Sequence, residues 1–265
     1  MGLKTVLITG GSSGIGYGLS KKFAADGYRL LWVSKETEEL AKAKTEILKN
    51  FPAIEVHTLT KNLSIEESCS EVYDWAKNIG RIDVVVNNAG FGTYGYLNDI
   101  NIQQELAMIN LNIRALYLLT RFFLKDMVER NGGNIINISS NSSFETVPRL
   151  LTYSSTKAFV KHFSRGLNEE LKMQNSKVKV LTICPAAIKD TNFKNAGDMA
   201  NVTTFNKGMV TTTTKEVVSD IWKAFQKGKS FQITGWKMRM LHKSYGFVPF
   251  WLTMLLTKGE TEDVK

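Results

Sequence analysis

The sequence predicts an α/β protein built on one doubly wound, mostly parallel sheet of about seven strands. Three observations lead there. Short Val/Ile-rich runs bounded by turn residues alternate with longer stretches that carry apolar residues at three- and four-residue spacing, the pattern of repeated βαβ units. The short runs are apolar at nearly every position, as strands buried on both faces must be. No linker rich in Pro, Gly or Ser divides the 265 residues, so one domain is expected over 1–235, followed by a hydrophobic C-terminal extension over 236–265.

The elements follow in chain order. Thr5–Thr9, rich in β-branched residues, is a strand, and Gly14–Asp26 follows as a helix with Ile15, Leu19 and Phe23 four apart. Arg29–Val33 is the second strand, and Glu36–Asn50, with Leu40, Ala43 and Ile47 on one stripe, the second helix. Ile54–Thr58 and then Ile65–Ile79, with Val72, Ala76 and Ile79 in step, give the third pair. Val84–Asn87 is a short apolar strand up to its last residue, and Ile102–Asn131 reads as one long helix. Gly133–Ile138, Thr152–Asn175, Val178–Ile183, Lys215–Gln226 and Phe231–Thr234 complete the alternation as strand, helix, strand, helix and strand. Two stretches break it. Residues 186–213 are polar, Thr/Asn-rich and without period, which suits a mobile active-site loop. After Thr234 come Trp236, Met238, Met240, Tyr245 and the apolar run from Phe247 to Leu252. That composition suits core packing, a subunit interface, a lid over a substrate or a membrane-surface anchor.

Composition narrows the function classes. With 43% hydrophobic and 22% charged residues the chain is neither disordered, collagen-like nor a coiled coil. The formal charge is +9, but Lys and Arg are scattered and form no dense run able to neutralise a phosphate backbone, so nucleic acid is not an expected partner. A basic surface does favour an anionic cofactor. Cys69 and Cys184 lack CxxC spacing, which argues against a disulfide framework or zinc site and for a reducing compartment. His57, His162 and His242 are isolated, so no metal is expected and each histidine is read as a surface or packing residue. The opening run Leu3–Thr9 is too short for a signal peptide or a membrane span, and a cytoplasmic location is expected.

The first strand leads into Thr9-Gly10-Gly11-Ser12-Ser13-Gly14-Ile15-Gly16, which opens the first helix. That context is what a dinucleotide-binding turn requires. Gly10 permits the tight turn, Gly14 the approach of a pyrophosphate, and Gly16 close packing of helix on strand, while the helix N-terminus offers its N–H groups. Ser12, Ser13 and Ile15 belong to the same cradle. The glycine spacing is one residue wider than GxGxxG. The second strand ends in Trp32-Val33-Ser34-Lys35, with no carboxylate to accept from a ribose 2′-OH. Basic Lys35 and the hydroxyl of Ser34 favour a 2′-phosphate, hence NADP(H) over NAD(H), although Glu36 dilutes the charge and a solvated lysine at a helix start is the plain alternative.

Together, the Thr9–Gly16 turn, Asn87-Asn88-Ala89-Gly90 and Tyr153-Ser154-Ser155-Thr156-Lys157 resemble the classical short-chain dehydrogenase/reductases over roughly residues 3–235. The resemblance implies a Rossmann-type fold, a small-molecule carbonyl or alcohol substrate, and assembly as a homodimer or homotetramer. It also implies a catalytic set of Tyr153, Lys157, Ser140 and Asn112. Ser140 stands thirteen residues before Tyr153, which favours it over Ser139, and Asn112 is preferred to Asn110. Asn87, Asn88, Ala89 and Gly90 would line the cofactor's adenosine ribose and support the sheet. Asn62 and Leu63 stand where the family has Asp-Leu beside the adenine, and Pro185 with Ala186 replaces Pro-Gly before Ile188, which would face the nicotinamide amide. Which of Lys189, Asp190 and Thr191 stands for the family's threonine is left open.

The residues make chemical sense of that set. Tyrosine, with a reference pKa of about 10, is a poor acid/base at neutral pH, and Lys157, four residues on and on the same helix face, is expected to pull it down. In a reduction Tyr153 would protonate the carbonyl oxygen, Ser140 would hydrogen-bond it, Lys157 would also hold the nicotinamide ribose, and Asn112 would position a water that relays the proton. Ser154-x-x-Lys157 also matches a serine–lysine hydrolase pattern, but its companion motifs are missing. The stronger rival is an NADP(H)-binding sensor or scaffold without turnover. Phe91, Thr93, Phe144, Val147, Phe193 and Phe205 suggest an apolar ketone, aldehyde, fatty-acyl or steroid-like substrate.

Overall fold

The computed structural model describes residues 2–190 and 211–245, the side chains of 243–245 excepted. Seven parallel strands form one sheet in the order β3-β2-β1-β4-β5-β6-β9. They are β1 (Thr5–Thr9), β2 (Arg29–Ser34), β3 (Val56–Thr60), β4 (Val84–Asn87), β5 (Asn134–Ile138), β6 (Lys179–Cys184) and β9 (Phe231–Ile233). β3 lies two residues later than expected because Phe51–Ile54 closes as a turn, with Ile54 N–H on the Phe51 carbonyl at 3.4 Å.

Helices cover both faces. α1 (Gly14–Ala25), α2 (Thr37–Asn50) and α7 (Thr214–Gln226) bury Leu19, Phe23, Leu40, Ile47, Ile221 and Trp222 against one face. α3 (Glu67–Ile79), α5 (Leu116–Glu129) and α6 (Leu151–Met173) bury Val72, Leu119, Phe123 and Leu171 against the other. Each strand therefore needs apolar side chains on both sides, which explains the unbroken Val/Ile runs. No helix among the described residues is long and apolar enough to cross a membrane.

Three features depart from the expected elements. The long helix over 102–131 is α4 (Ile102–Ile109) and α5 joined by a π-helical stretch, Asn110–Ala115. The ends of the stretch expected to be a mobile loop are tied together: β7 (Ala187–Ile188) pairs in parallel with β8 (Thr211–Thr212). Asp190 Oδ1 accepts from Thr214 N and Oγ1 at 2.8 and 3.0 Å. Thr191, Phe193 and Phe205 lie outside the described residues. The tail begins as a helix, α8 (Trp236–Tyr245), anchored by Asp220, which accepts from Gly235 N and Arg239 Nη1 at 2.9 and 2.7 Å. The apolar run from Phe247 to Leu252 lies outside the described residues.

Strand order reverses between β1 and β4, so the chain diverges there and leaves a crevice at the strands' C-terminal ends. Beneath it a buried polar ladder crosses three strands. Asn87, Asn137 and Thr182 are register partners, and Asn87 Nδ2 donates to Asn137 Oδ1 at 2.8 Å and Thr120 Oγ1 at 3.0 Å. Asn137 Nδ2 donates in turn to Ser164 Oγ at 2.9 Å.

Candidate active site

One cavity of about 1050 Å³ occupies the crevice. Of the residues expected to hold a dinucleotide, Gly10, Ser13, Gly14, Ile15, Ser34, Lys35, Asn62, Leu63, Asn88, Ala89, Gly90, Tyr153, Lys157, Pro185 and Ile188 all line it. Ser12 and Gly16 do not. Gly16 acts behind the wall: a Cβ there would sit 2.0 Å from the Gly10 carbonyl oxygen, so only glycine lets α1 start so close to the turn. Asn88 pins the same turn, its Nδ2 donating to the carbonyls of Thr9 and Gly10 at 2.9 and 3.1 Å. Thr9 Oγ1 accepts from the Asn88 and Ala89 amides, each at 3.0 Å. Asn87, by contrast, belongs to the ladder and not to the cavity.

The cradle fits an anionic dinucleotide on its own geometry. Ser13 caps α1 without a side-chain hydrogen bond, the first turn holds no acidic residue, and the buried Ser12 Oγ has no partner among the described residues. Donors therefore stand ready at a helix N-terminus where a phosphate is favoured. At the adenosine end Lys35 Nζ lies 3.5 Å from Glu36 Oε1, both well exposed, so the cation is shared with a neighbour. Lys61, unremarked in the sequence, also lines this end, its amide donating to the Ser34 carbonyl at 2.9 Å. Asn62 Oδ1 is engaged by Ser64 N at 3.0 Å.

At the other end Tyr153, Lys157 and Ser140 converge. Tyr153 and Lys157 project from the first two turns of α6. Ser140 caps a short 3₁₀ turn, Asn141–Phe144, and hydrogen-bonds the Tyr153 hydroxyl. Lys157 Nζ donates to the Ile138 carbonyl at 3.1 Å and lies 5.8 Å from the Tyr153 ring centre. Gly90 admits this arrangement, since a Cβ there would meet Asn112 Oδ1 at 2.8 Å and Lys157 Nζ at 3.2 Å.

The electrostatics differ from expectation. Burial pushes the Tyr153 phenol up to about 12, against the downward pull of Ser140, and Lys157 does not lower it. Burial likewise pushes the Lys157 ammonium down to about 8. Removal from water disfavours whichever form is charged. The phenol thus holds its proton at neutral pH.

Asn112 lies within the helical stretch where it was expected. It is buried in the π-helical stretch and does not face the cavity. Its Nδ2 donates to the Phe91 carbonyl at 2.9 Å and Thr156 Oγ1 at 3.1 Å, and its Oδ1 accepts from Phe91 N at 3.2 Å. The amide braces the turn after β4 against α6. A π-helical stretch of this kind is common near functional sites.

Of the apolar residues expected around a substrate, Phe91 and Val147 line the cavity, whereas Thr93 is buried beside Met108 and Phe144 packs on His242. Met238 and Leu241 of α8 join the lining, which places this helix at the end opposite the glycine cradle. Their three-residue spacing was the signal available in the sequence. His242 is no plain packing residue, since its Nε2 lies 2.5 Å from Asn141 Oδ1. Exposed His162 and His57, 3.5 Å from Glu55, are surface residues as expected. No cluster of potential metal ligands exists among the described residues.

Comparison with known proteins identifies the family. Residues 4–201 match the family model described as short chain dehydrogenase. The chain is 30% identical over 186 residues to an uncharacterized oxidoreductase of Staphylococcus saprophyticus, covering 70% of this chain and 78% of that protein. It is 29% identical over 221 residues to an NADP-dependent 3-hydroxy acid dehydrogenase of Escherichia coli, covering 82% and 87%. A rat very-long-chain 3-oxoacyl-CoA reductase is 34% identical over 174 residues, which span 63% of this chain but only 54% of that protein. Among solved structures, a short-chain dehydrogenase from Sphingobium yanoikuyae in complex with NADPH superposes with a TM-score of 0.79 at 28% identity over 87% of each chain. A Burkholderia phymatum family member in complex with NAD shares the fold at a TM-score of 0.79 and 19% identity, covering 92% of this chain and 95% of that one. The chain belongs to the short-chain dehydrogenase family, oxidoreductases that use a nicotinamide cofactor to act on CH–OH and carbonyl groups.

Proposed function

We propose that the protein is an NADP(H)-dependent reductase of apolar carbonyl compounds, with Tyr153 as the proton donor. The observation that carries this reading is the buried Tyr153 phenol, hydrogen-bonded to Ser140, at one end of a cavity whose other end is the glycine cradle. When bound, the nicotinamide supplies the hydride. Gly10, Ser12, Ser13, Gly14, Ile15, Asn88, Ala89 and Gly90 would hold the cofactor, with Pro185 and Ile188 at its nicotinamide end and Asn62 and Leu63 at its adenine. Ser34 and Lys35, with Lys61 beside them, would receive the 2′-phosphate. The E. coli and S. yanoikuyae relatives, one NADP-dependent and one solved with NADPH, support that preference.

Tyr153 gives its proton to the substrate oxygen, a direction suited to a phenol that is neutral at physiological pH. Ser140 donates a hydrogen bond to the same oxygen as charge develops there. Lys157 holds positive charge beside the phenol below about pH 8 and replenishes its proton. Asn112 keeps Phe91 and α6 in place and so fixes the floor under both. Phe91, Val147, Leu150, Met238 and Leu241 make the substrate end apolar, which suits ketones, aldehydes and fatty-acyl or steroid-like carbonyls. Exposed Ile102, Leu106, Tyr117 and Phe159 support assembly into a homodimer or homotetramer, which light scattering would test.

Parallel fluorescence titrations with NADPH and NADH, followed by an absorbance screen of ketones and aldehydes, test the reading. Tighter NADPH binding together with carbonyl-dependent oxidation is the expected result. Tight NADPH binding without turnover of any carbonyl would favour a sensor or scaffold instead.

A further inference from the structure

The 3₁₀ turn that carries Ser140 is only four residues long and cannot hold its own orientation, so its anchors decide where the serine hydroxyl points. Three elements grip it. From the β6 side the Pro185 carbonyl accepts from Asn141 N at 2.8 Å. From α6 Lys161 Nζ donates to the Ser143 carbonyl at 2.6 Å and lies 3.9 Å over the Phe144 ring. From α8 the His242 ring packs on the other partner of that turn, 4.1 Å from the Phe144 ring centre, and sets Nε2 2.5 Å from Asn141 Oδ1. Asn141 is next to Ser140, whose Oγ accepts from Ser142 N at 3.2 Å and Ser142 Oγ at 3.0 Å. With those acceptor positions taken up within the turn, the serine's own proton is directed outward. α8 in turn cannot drift, because Arg239 and Gly235 bind Asp220 and Met238 is buried.

We infer that His242 is a positioning residue for the reductase reaction: from a helix beyond the family-matched residues 4–201, it holds Asn141 and thereby sets the Ser140 hydroxyl against the Tyr153 phenol. The inference rests on the reductase reading given above. It makes the C-terminal helix part of the catalytic apparatus as well as part of the substrate wall. A displacement of about 1 Å at a reacting centre costs on the order of a hundredfold in rate, and loss of one of three anchors should cost part of that.

Three variants separate the donor from the packing. His242→Phe keeps a ring against Phe144 and removes the N–H, His242→Gln restores an amide donor without the ring, and Asn141→Ala removes the acceptor. Relative to the unmutated protein, His242→Phe should lower kcat roughly ten- to fiftyfold, with KM and the NADPH dissociation constant changed less than about twofold. His242→Gln should recover most of the rate, and Asn141→Ala added to His242→Phe should cost nothing further, since the pair acts as one contact. Unaltered kcat in His242→Phe, equal impairment in His242→Gln, or multiplicative losses in the double variant would each overturn the inference. Should His242→Phe fail to fold, the Gln and Ala variants carry the same test. Tyr153→Phe keeps the two readings apart. An unmutated protein that reduces no carbonyl overturns the reductase reading and the role of His242 with it. A fully active His242→Phe beside an inactive Tyr153→Phe overturns the inference alone.

Discussion

The two ends of the cavity are built by opposite means. The cofactor end is made of backbone: a single stretch, Thr9–Gly16, joins β1 to α1, and its shape is fixed by glycines and by Asn88 bonding two carbonyls of the turn. The catalytic end is made of side chains from three regions distant in sequence: the π stretch, the run from the β5 end through the 3₁₀ turn into α6, and α8. A backbone site tolerates changes of side chain so long as no Cβ intrudes. A side-chain site fails when any one supporting contact is lost, but its loss leaves the cradle standing. Binding and chemistry should therefore be separable by mutation.

The sharpest break is Tyr153→Phe, which removes the proton donor and leaves the cradle untouched. Its kcat should fall by about a thousandfold, within the range of general acid catalysis, while NADPH titration gives an unchanged dissociation constant. Gly16→Ala should do the reverse. The new methyl collides with the Gly10 carbonyl, and overpacking of this kind costs about 1–3 kcal/mol, so NADPH affinity should drop roughly ten- to a hundredfold with turnover at saturation largely kept. Equal damage to kcat and affinity in either variant would dissolve the distinction between the ends. Ser34→Asp refines the picture within the cofactor end. A carboxylate there repels a 2′-phosphate and accepts from a ribose hydroxyl, shifting the ratio of NADPH to NADH affinity by about thirtyfold toward NADH.

The smallest effect concerns stability. Lys157 has a folded-state value of about 8 against an ordinary 10.5, so the unfolded chain binds more protons between those limits and stability rises with pH across that window. Below pH 8 the buried ammonium costs on the order of 3 kcal/mol. Lys157→Met should melt a few degrees higher than the unmutated protein at pH 7, and the gain should shrink as pH rises from 8 toward 10.5. A gain that is constant with pH would show that the lysine keeps its ordinary value in the folded protein.

The same division explains what the sequence disclosed. Strands buried on both faces, helices with apolar stripes and the glycine turn are contiguous signals, and fold and cradle followed from them directly. Tyr153, Lys157 and Ser140 were found through a resemblance, and their convergence follows from the parallel alignment of β5 with β6 and the packing of α6. What stayed hidden depends on contacts between distant segments. Nothing local to Asn112 announces a π turn, and nothing local to His242 announces Asn141, a hundred and one residues away. The rise of the Tyr153 phenol was hidden for a related reason. Spacing on a helix says that a lysine is near, but only the packed structure says how fully the phenol is removed from water.

The polar ladder beneath the crevice bears on how the sheet finds its alignment. β4, β5 and β6 are rich in Val and Ile on both faces, and a slip of two residues between them would leave apolar side chains against apolar neighbours at little cost. Asn87 and Asn137 cannot slip so freely. Out of register each would strand a buried amide, at about 1–3 kcal/mol apiece, and would lose Thr120 and Ser164 on the covering helices as well. A few buried amides thus act as a key for strands that are otherwise nearly interchangeable, and mispaired folding intermediates are penalised before the crevice above them has formed.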